Sequence, residues 1–267
     1  FYGRITFIFQ YVSIVIATIG LIGNCLSFAV FLRKRFENIS FAFYMRVKLV
    51  VDGVVLLNSF KHYSSFVLDA YFEFTSNIVC KLSEYVVYVC ASGSFWLLAI
   101  ISFDRLITIV YPQKFEFIRK RYFQIISVAC ILLFDIIIYL PMPIYRELVI
   151  EEIEVNNSNN LSIVLTKSCF ITDASVAKYI DLTGLIEAIV VLCGLNNVMS
   201  AIIILFIFRS RKKFNSNQPK NSNNSSTAVR DRKFAINLIV LNLINFICNL
   251  PFLIILICLA YGLIVPD

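Results

Sequence analysis

Six apolar blocks, near residues 7–32, 42–68, 77–111, 122–143, 176–208 and 233–264, dominate the 267-residue sequence. Each is long enough for the roughly 20 residues that an α-helix needs to cross the hydrocarbon of a bilayer. A spanning strand needs only about ten residues and alternates in polarity, which these blocks do not. Charged residues make up 15% of the chain, against roughly a quarter in a soluble domain, so a water-facing surface cannot be built from them. The blocks predict an all-α membrane protein, one membrane domain over residues 1–267 with six spans. The first block is too long for a signal peptide's hydrophobic core and lacks a basic leader; Arg33, Lys34 and Arg35 follow it as a stop-transfer flank.

The distribution of Lys and Arg sets an orientation. With the N-terminus outside, 18 of the 24 basic residues fall on the cytoplasmic side, among them Arg33, Lys48, Arg105, Arg121 and Lys212, and 6 outside. That is a strong positive-inside bias. The net charge of +7 therefore reflects membrane orientation, and no nucleic-acid partner is expected. Residues 211–229, which contain a run with no apolar residue from Asn215 to Ser226, are expected to form a disordered cytoplasmic loop. The longest external loop carries the acidic run Glu147, Glu151, Glu152 and Glu154, and two glycosylation sequons at Asn156 and Asn160.

Enzymatic chemistry finds little support. His62 is the single histidine, which excludes the HExxH pattern, and no metal site is expected. Of eight cysteines, Cys25, Cys90, Cys130, Cys193, Cys248 and Cys258 lie inside apolar blocks, where a thiol behaves as a small hydrophobe. Cys80 and Cys169 remain, both on the outer side. In an oxidising compartment a bridge between them is the natural reading, with two unpaired external thiols as the alternative. Ionisable groups inside the blocks cost at least ~2.5–3.5 kcal/mol to insert and usually face a bundle interior. Asp52 is the clearest case; Asp135, which has no partner evident in the sequence, Asp181 and Glu187 are others.

The run Ser102-Phe103-Asp104-Arg105-Leu106 resembles the Asp-Arg-Tyr signature that ends the third helix of rhodopsin-like G protein-coupled receptors, with Leu106 in place of tyrosine. Cys80 stands 25 residues before Arg105, and Pro112 follows in the next loop, as in that family. Gly23-Asn24 resembles the first-helix pair, Asp52 the second-helix aspartate, and Cys248-Asn249-Leu250-Pro251 the sixth-helix Cys-Trp-x-Pro pattern with Asn249 replacing tryptophan. The fourth span has no tryptophan, and the fifth has neither the usual proline nor the inner tyrosine. The resemblance implies a seven-transmembrane receptor bundle of which helices one to six are present, and the chain is expected to lack the seventh.

By resemblance, the partners are an extracellular ligand outside and a heterotrimeric G protein inside, in a multi-pass plasma-membrane protein. Asp104, Arg105, Pro112, Asp231 and Pro251 would form the coupling switch, with Asp231 pairing with Arg105 at rest. Asn24, Asp52 and Ser94 resemble contributors to an internal polar site that takes sodium; no other cofactor is expected. Val87 stands where amine receptors carry an aspartate, which argues against a biogenic amine. Glu84, Tyr88 and Ala91 follow helical spacing and form a candidate pocket stripe with Val87, Glu187 and Asn249, packing between helices being the other reading of Tyr88 and Ala91. Together with the acidic external loop these point to a cationic or amidated, neuropeptide-like ligand. The alternative is a six-span channel or transporter, which the span count alone favours, although no repeated arginine register or paired helix break is present.

Overall fold

The computed structural model describes residues 2–37, 39–67, 76–110, 116–157 and 160–214, together with Val240, Leu243, Ile244 and Ile247. Helices α1 (Tyr2–Phe31), α2 (Ser40–Val67), α3 (Asn77–Val110), α4 (Arg121–Ile138) and the short α5 (Pro141–Tyr145) lead into a hairpin of β1 (Arg146–Asn157) and β2 (Asn160–Ile171). The chain continues as α6 (Ala174–Glu187), a π-helical stretch Ala188–Leu195, and α7 (Asn196–Phe214). Four helices among the described residues are long and apolar enough to cross a membrane, at Tyr11–Phe31, Asn77–Thr108, Arg121–Tyr145 and Ala174–Phe206. Helix α2 is also of spanning length, but Arg46, Lys48, Asp52 and Lys61 make it the most polar of the first four. Most of the sixth block lies outside the described residues; Val240, Leu243, Ile244 and Ile247 are helical, exposed, and spaced as one face of a helix.

Local chemistry explains the helix ends. Ser76 caps α3, its Oγ accepting the backbone N–H of Val79 (3.3 Å), and Asp173 caps α6, its Oδ1 accepting the N–H groups of Ser175 (2.7 Å) and Val176 (3.3 Å). Helix α4 stops ahead of Pro141, which has no N–H to continue the ladder and opens α5 instead. Helix α7 runs on to Phe214, so Arg211–Phe214 is helical and the loop expected over 211–229 begins no earlier than residue 215. Arg and Lys are good helix formers, and positive charge suits a helix C-terminus, so this basic run extends the helix where composition alone suggested a linker.

The hairpin is the one departure from helix among the described residues. Its twelve pairs run from Arg146↔Ile171 to Asn157↔Asn160. The sequences of both strands are rich in strand-favouring types, Val149, Ile150, Ile153 and Val155 in β1 and Ile163, Val164 and Thr166 in β2. The sequence reading had this stretch as a loop.

The described residues divide into two units. The first holds Phe1–Val30, Leu49–Gly93 and Leu132–Asp181, the second Phe31–Lys48, Ser94–Ile131 and Leu182–Asp267. In the first, Val89, Tyr139, Met142 and Ile180 form a buried cluster against which Tyr85, Ile138, Ile171 and Val176 pack. The long apolar side chains of α1 and α4 point outward: Ile16, Ile19, Ile22 and Leu26 on one, Ile125, Ile126, Leu133 and Ile137 on the other, are all exposed. In water such stripes would drive aggregation; against lipid tails they cost nothing.

Asp135 has a partner that the sequence did not reveal. Its carboxylate is fully buried, and Oδ1 accepts a hydrogen bond from Ser92 Oγ at 2.8 Å. Gly93 makes room for it: a Cβ there would lie 3.3 Å from Asp135 Oδ2 and 3.5 Å from Leu132 Cδ2. Gly93→Val, with two further methyl groups, is therefore expected to destabilise the chain by about 1–3 kcal/mol, read as a lower melting temperature of detergent-purified protein; an unchanged melting temperature would refute this packing.

Candidate functional site

Helix α3 organises the site residues. It carries Cys80 in the first unit and Arg105 in the second.

In the second unit, Asp104 and Arg105 are 2% and 6% exposed. Arg105 donates to Asp104 Oδ2 through Nη2 (2.8 Å) and Nε (3.2 Å). The other carboxylate oxygen, Oδ1, accepts the hydroxyl of Ser40 at 2.7 Å, and the guanidinium lies 5.0 Å from the centre of the Phe41 ring. Both buried charges are thus neutralised and hydrogen-bonded, without which burial would cost several kcal/mol per ion.

The turn between α1 and α2 positions Ser40 and Phe41. Arg46 Nε donates to the carbonyl of Phe31, the last residue of α1 (3.0 Å), and Nη2 to that of Phe36 (3.2 Å). The Phe31 ring packs edge-on against Phe36 and Phe41, at 5.5 Å and 5.8 Å. One turn before Arg105, Ser102 Oγ donates to Leu98 O (3.0 Å) and to Oδ1 of Asn196 (3.2 Å), the first residue of α7. The π-helical stretch that ends just before Asn196 shifts the helical register there, a feature often found at functional sites.

In the first unit, Cys80 and Cys169 form a disulfide, with Cα atoms 6.0 Å apart, tying β2 to the start of α3. Asn77 adds a second tie, its Oδ1 accepting the N–H of Leu148 (3.2 Å). Arg146 Nε donates to Cys169 Sγ (3.2 Å), and Nη2 donates to Cys169 O (3.2 Å) and lies 3.8 Å from Glu84 Oε2. Glu84 is therefore already facing a cation of its own chain. Tyr88 stacks at 5.8 Å on Tyr139 of the segment that follows α4. Val87 and Ala91 are half-buried. Glu187 is buried in the second unit. Asn156 and Asn160 sit in the last two pairs of the hairpin.

The internal polar residues divide differently from the expectation. Asn24 Nδ2 donates to Leu49 O at 2.7 Å and lies 3.4 Å from a Cβ position on Gly53. Ser94 Oγ accepts Lys48 Nζ at 2.8 Å. Lys48 stands eight residues into α2 with its ammonium on α3. A hydroxyl oxygen that accepts an ammonium has one lone pair fewer to offer a sodium ion.

Pro112, Asp231, Asn249 and Pro251 lie outside the described residues. The sequence reading missed Ser40, Phe41, Lys48 and Arg146. Lys48 alone carried a signal, a basic residue four positions from the intramembrane Asp52.

A search of curated proteins finds no match. A family profile described as "7 transmembrane receptor (rhodopsin family)" matches residues 23–265, nearly the whole chain. The chain belongs to the rhodopsin family of seven-transmembrane receptors, a multi-pass family of signalling receptors.

Proposed function

We propose that this receptor binds an extracellular cationic peptide and activates a heterotrimeric G protein at the plasma membrane, with its N-terminus outside. Orientation is supported by the positive-inside bias, 18 of the 24 basic residues falling on the expected cytoplasmic side against 6 outside. Coupling is supported by the Asp104–Arg105 pair, a buried latch with a partner on each side that a second arrangement could exchange. The receptor is then a two-state element whose balance an external ligand biases by preferring one state.

The observation that carries the ligand class is the hairpin anchored by Cys169. A two-stranded sheet has free edges whose N–H and C=O groups can pair with an extended peptide. The β1 sequence carries Glu147, Glu151, Glu152 and Glu154, against Arg146 and Lys167 as the only cations in the sequences of the two strands. Since Glu84 faces Arg146, the charge that selects a cationic ligand falls mainly on these four carboxylates rather than on Glu84.

Reversing all four to lysine is expected to raise the half-maximal concentration of an active cationic peptide at least about tenfold, equivalent to roughly 1.4 kcal/mol. Low salt should enlarge the difference. Unchanged potency for every active peptide in a signalling assay would exclude the acidic-hairpin reading.

A further inference from the structure

We propose that the turn before α2 and the start of α4 form a headgroup site for an anionic phospholipid of the leaflet on the Arg105 side. Every residue of the site belongs to the second unit. The start of α2 holds the two parts together, and Ser40 and Phe41 tie it to Asp104 and Arg105. The turn, Arg33 with the 3₁₀ segment Lys34–Phe36, is fastened to α2 by Arg46, whose Nη2 donates to Phe36 O at 3.2 Å. One helical turn earlier, Phe43 carries the guanidinium of Arg121, the first residue of α4, 4.1 Å from the centre of its ring. Phe43 and Arg46 stand three residues apart and share a face of α2, so both basic clusters meet at one helix end.

Arg33, Lys34, Arg35, Lys120 and Arg121 are all exposed, and none makes an ion pair among the described residues. Residues 33–37 and 116–121 hold six basic residues against two acidic ones, Glu37 and Glu116. Cations gathered in this way repel one another, and an anion placed among them relieves the repulsion. Arg121 is held by a ring rather than a carboxylate, so its N–H groups can still be offered to a phosphate oxygen. The surroundings select a lipid over a soluble anion. Each cluster adjoins exposed apolar side chains: Leu32 precedes Arg33, and Tyr122, Ile125 and Ile126 follow Arg121. Exposed Phe117 and Tyr122 flank Lys120 and Arg121 with the aromatic rings typical of a membrane–water interface. A phospholipid satisfies both needs, its acidic headgroup on the cations and its chains along the apolar residues. Diffuse attraction to an anionic leaflet is indifferent to which basic residues supply the charge, whereas a site is not.

The test melts the detergent-purified full chain in micelles doped with phosphatidylserine or, at the same mole fraction, phosphatidylcholine of the same acyl chains. It needs no peptide or G protein and stands apart from the proposed function. Wild type is expected to melt about 2–4 °C higher with phosphatidylserine, as a protein does when a ligand binds its folded state. The difference should vanish in about 1 M NaCl. Lys34→Gln, Arg35→Gln, Lys120→Gln and Arg121→Gln together are expected to abolish it. Removing the same number of charges at the end of α7, by glutamine at Arg209, Arg211, Lys212 and Lys213, is expected to leave it intact. Glycerophosphoserine, the headgroup without chains, should give no stabilisation. If the site variant does not fold, native mass spectrometry of wild type from an equal mixture of the two lipids is expected to retain phosphatidylserine at least about threefold over phosphatidylcholine. Equal melting or equal retention of the two lipids by wild type would overturn the proposal. So would a site variant that keeps the difference, an α7 variant that loses it, or stabilisation by glycerophosphoserine to the same extent.

Discussion

Arg105→Ala is expected to abolish ligand-dependent G-protein activation. Arg105 is the long cationic side chain at its end of α3 whose only partner contacts among the described residues are Asp104 and the Phe41 ring. Those contacts are exchangeable: a bidentate grip on one carboxylate oxygen and a stacking contact can be traded for others when neighbouring helices move. Alanine offers neither state a charge to hold, so the switch has nothing to transfer. Truncation also strands the Asp104 carboxylate with only Ser40, at a cost of about 3–5 kcal/mol, and this must be separated from loss of signalling. Asp104→Asn with Arg105→Ala removes both charges; it is expected to reach the cell surface near wild-type level and remain silent. Asp104→Asn alone keeps the shape and loosens the latch, and should raise basal activity. Surface labelling together with guanine-nucleotide exchange distinguishes the three, and a double variant that signals normally would show that Arg105 is only structural.

Breaking the disulfide should have the largest effect on stability. Cys80 and Cys169 are separated by 89 residues, and closing a loop of that size restricts the unfolded chain by about 4–5 kcal/mol on the entropic account. The bond also seats Cys169 against Arg146, and through it the strand that begins at residue 146. Cys169→Ala is therefore expected to abolish surface delivery, and Arg146→Ala to reduce it more mildly. Mass spectrometry without reduction, after alkylation in denaturant, should find the two cysteine peptides joined while Cys25 and Cys130 carry the alkylating reagent. Alkylation of Cys169 in folded receptor would contradict this.

The helices were legible because lipid imposes a length and a composition that run through whole segments. Blocks near 77–111 and 122–143 became α3 at Asn77–Val110 and α4 with α5 at Arg121–Ile138 and Pro141–Tyr145. The family was legible because a short motif, Asp104-Arg105, stood at a fixed distance from Cys80 on one helix. What stayed hidden depends on contacts between distant segments. Ser40 meets Asp104 across 64 residues, and Ser92 meets Asp135 across 43; neither serine belongs to a pattern. The hairpin did carry a local signal, β-branched runs on either side of Asn156–Asn160, but the acidic residues among them made the stretch read as a solvated loop. The contact of Lys48 with Ser94 across 46 residues was likewise hidden, since neither residue belongs to a pattern that pairs them.

The most direct test measures guanine-nucleotide exchange on purified heterotrimeric G proteins added to membranes containing the wild-type chain or Arg105→Ala at matched surface levels, across a panel of cationic and neutral peptides. Exchange that rises saturably with a cationic peptide in wild type, and stays at the basal level in Arg105→Ala, is the predicted result; equal peptide-stimulated exchange in the two would contradict it.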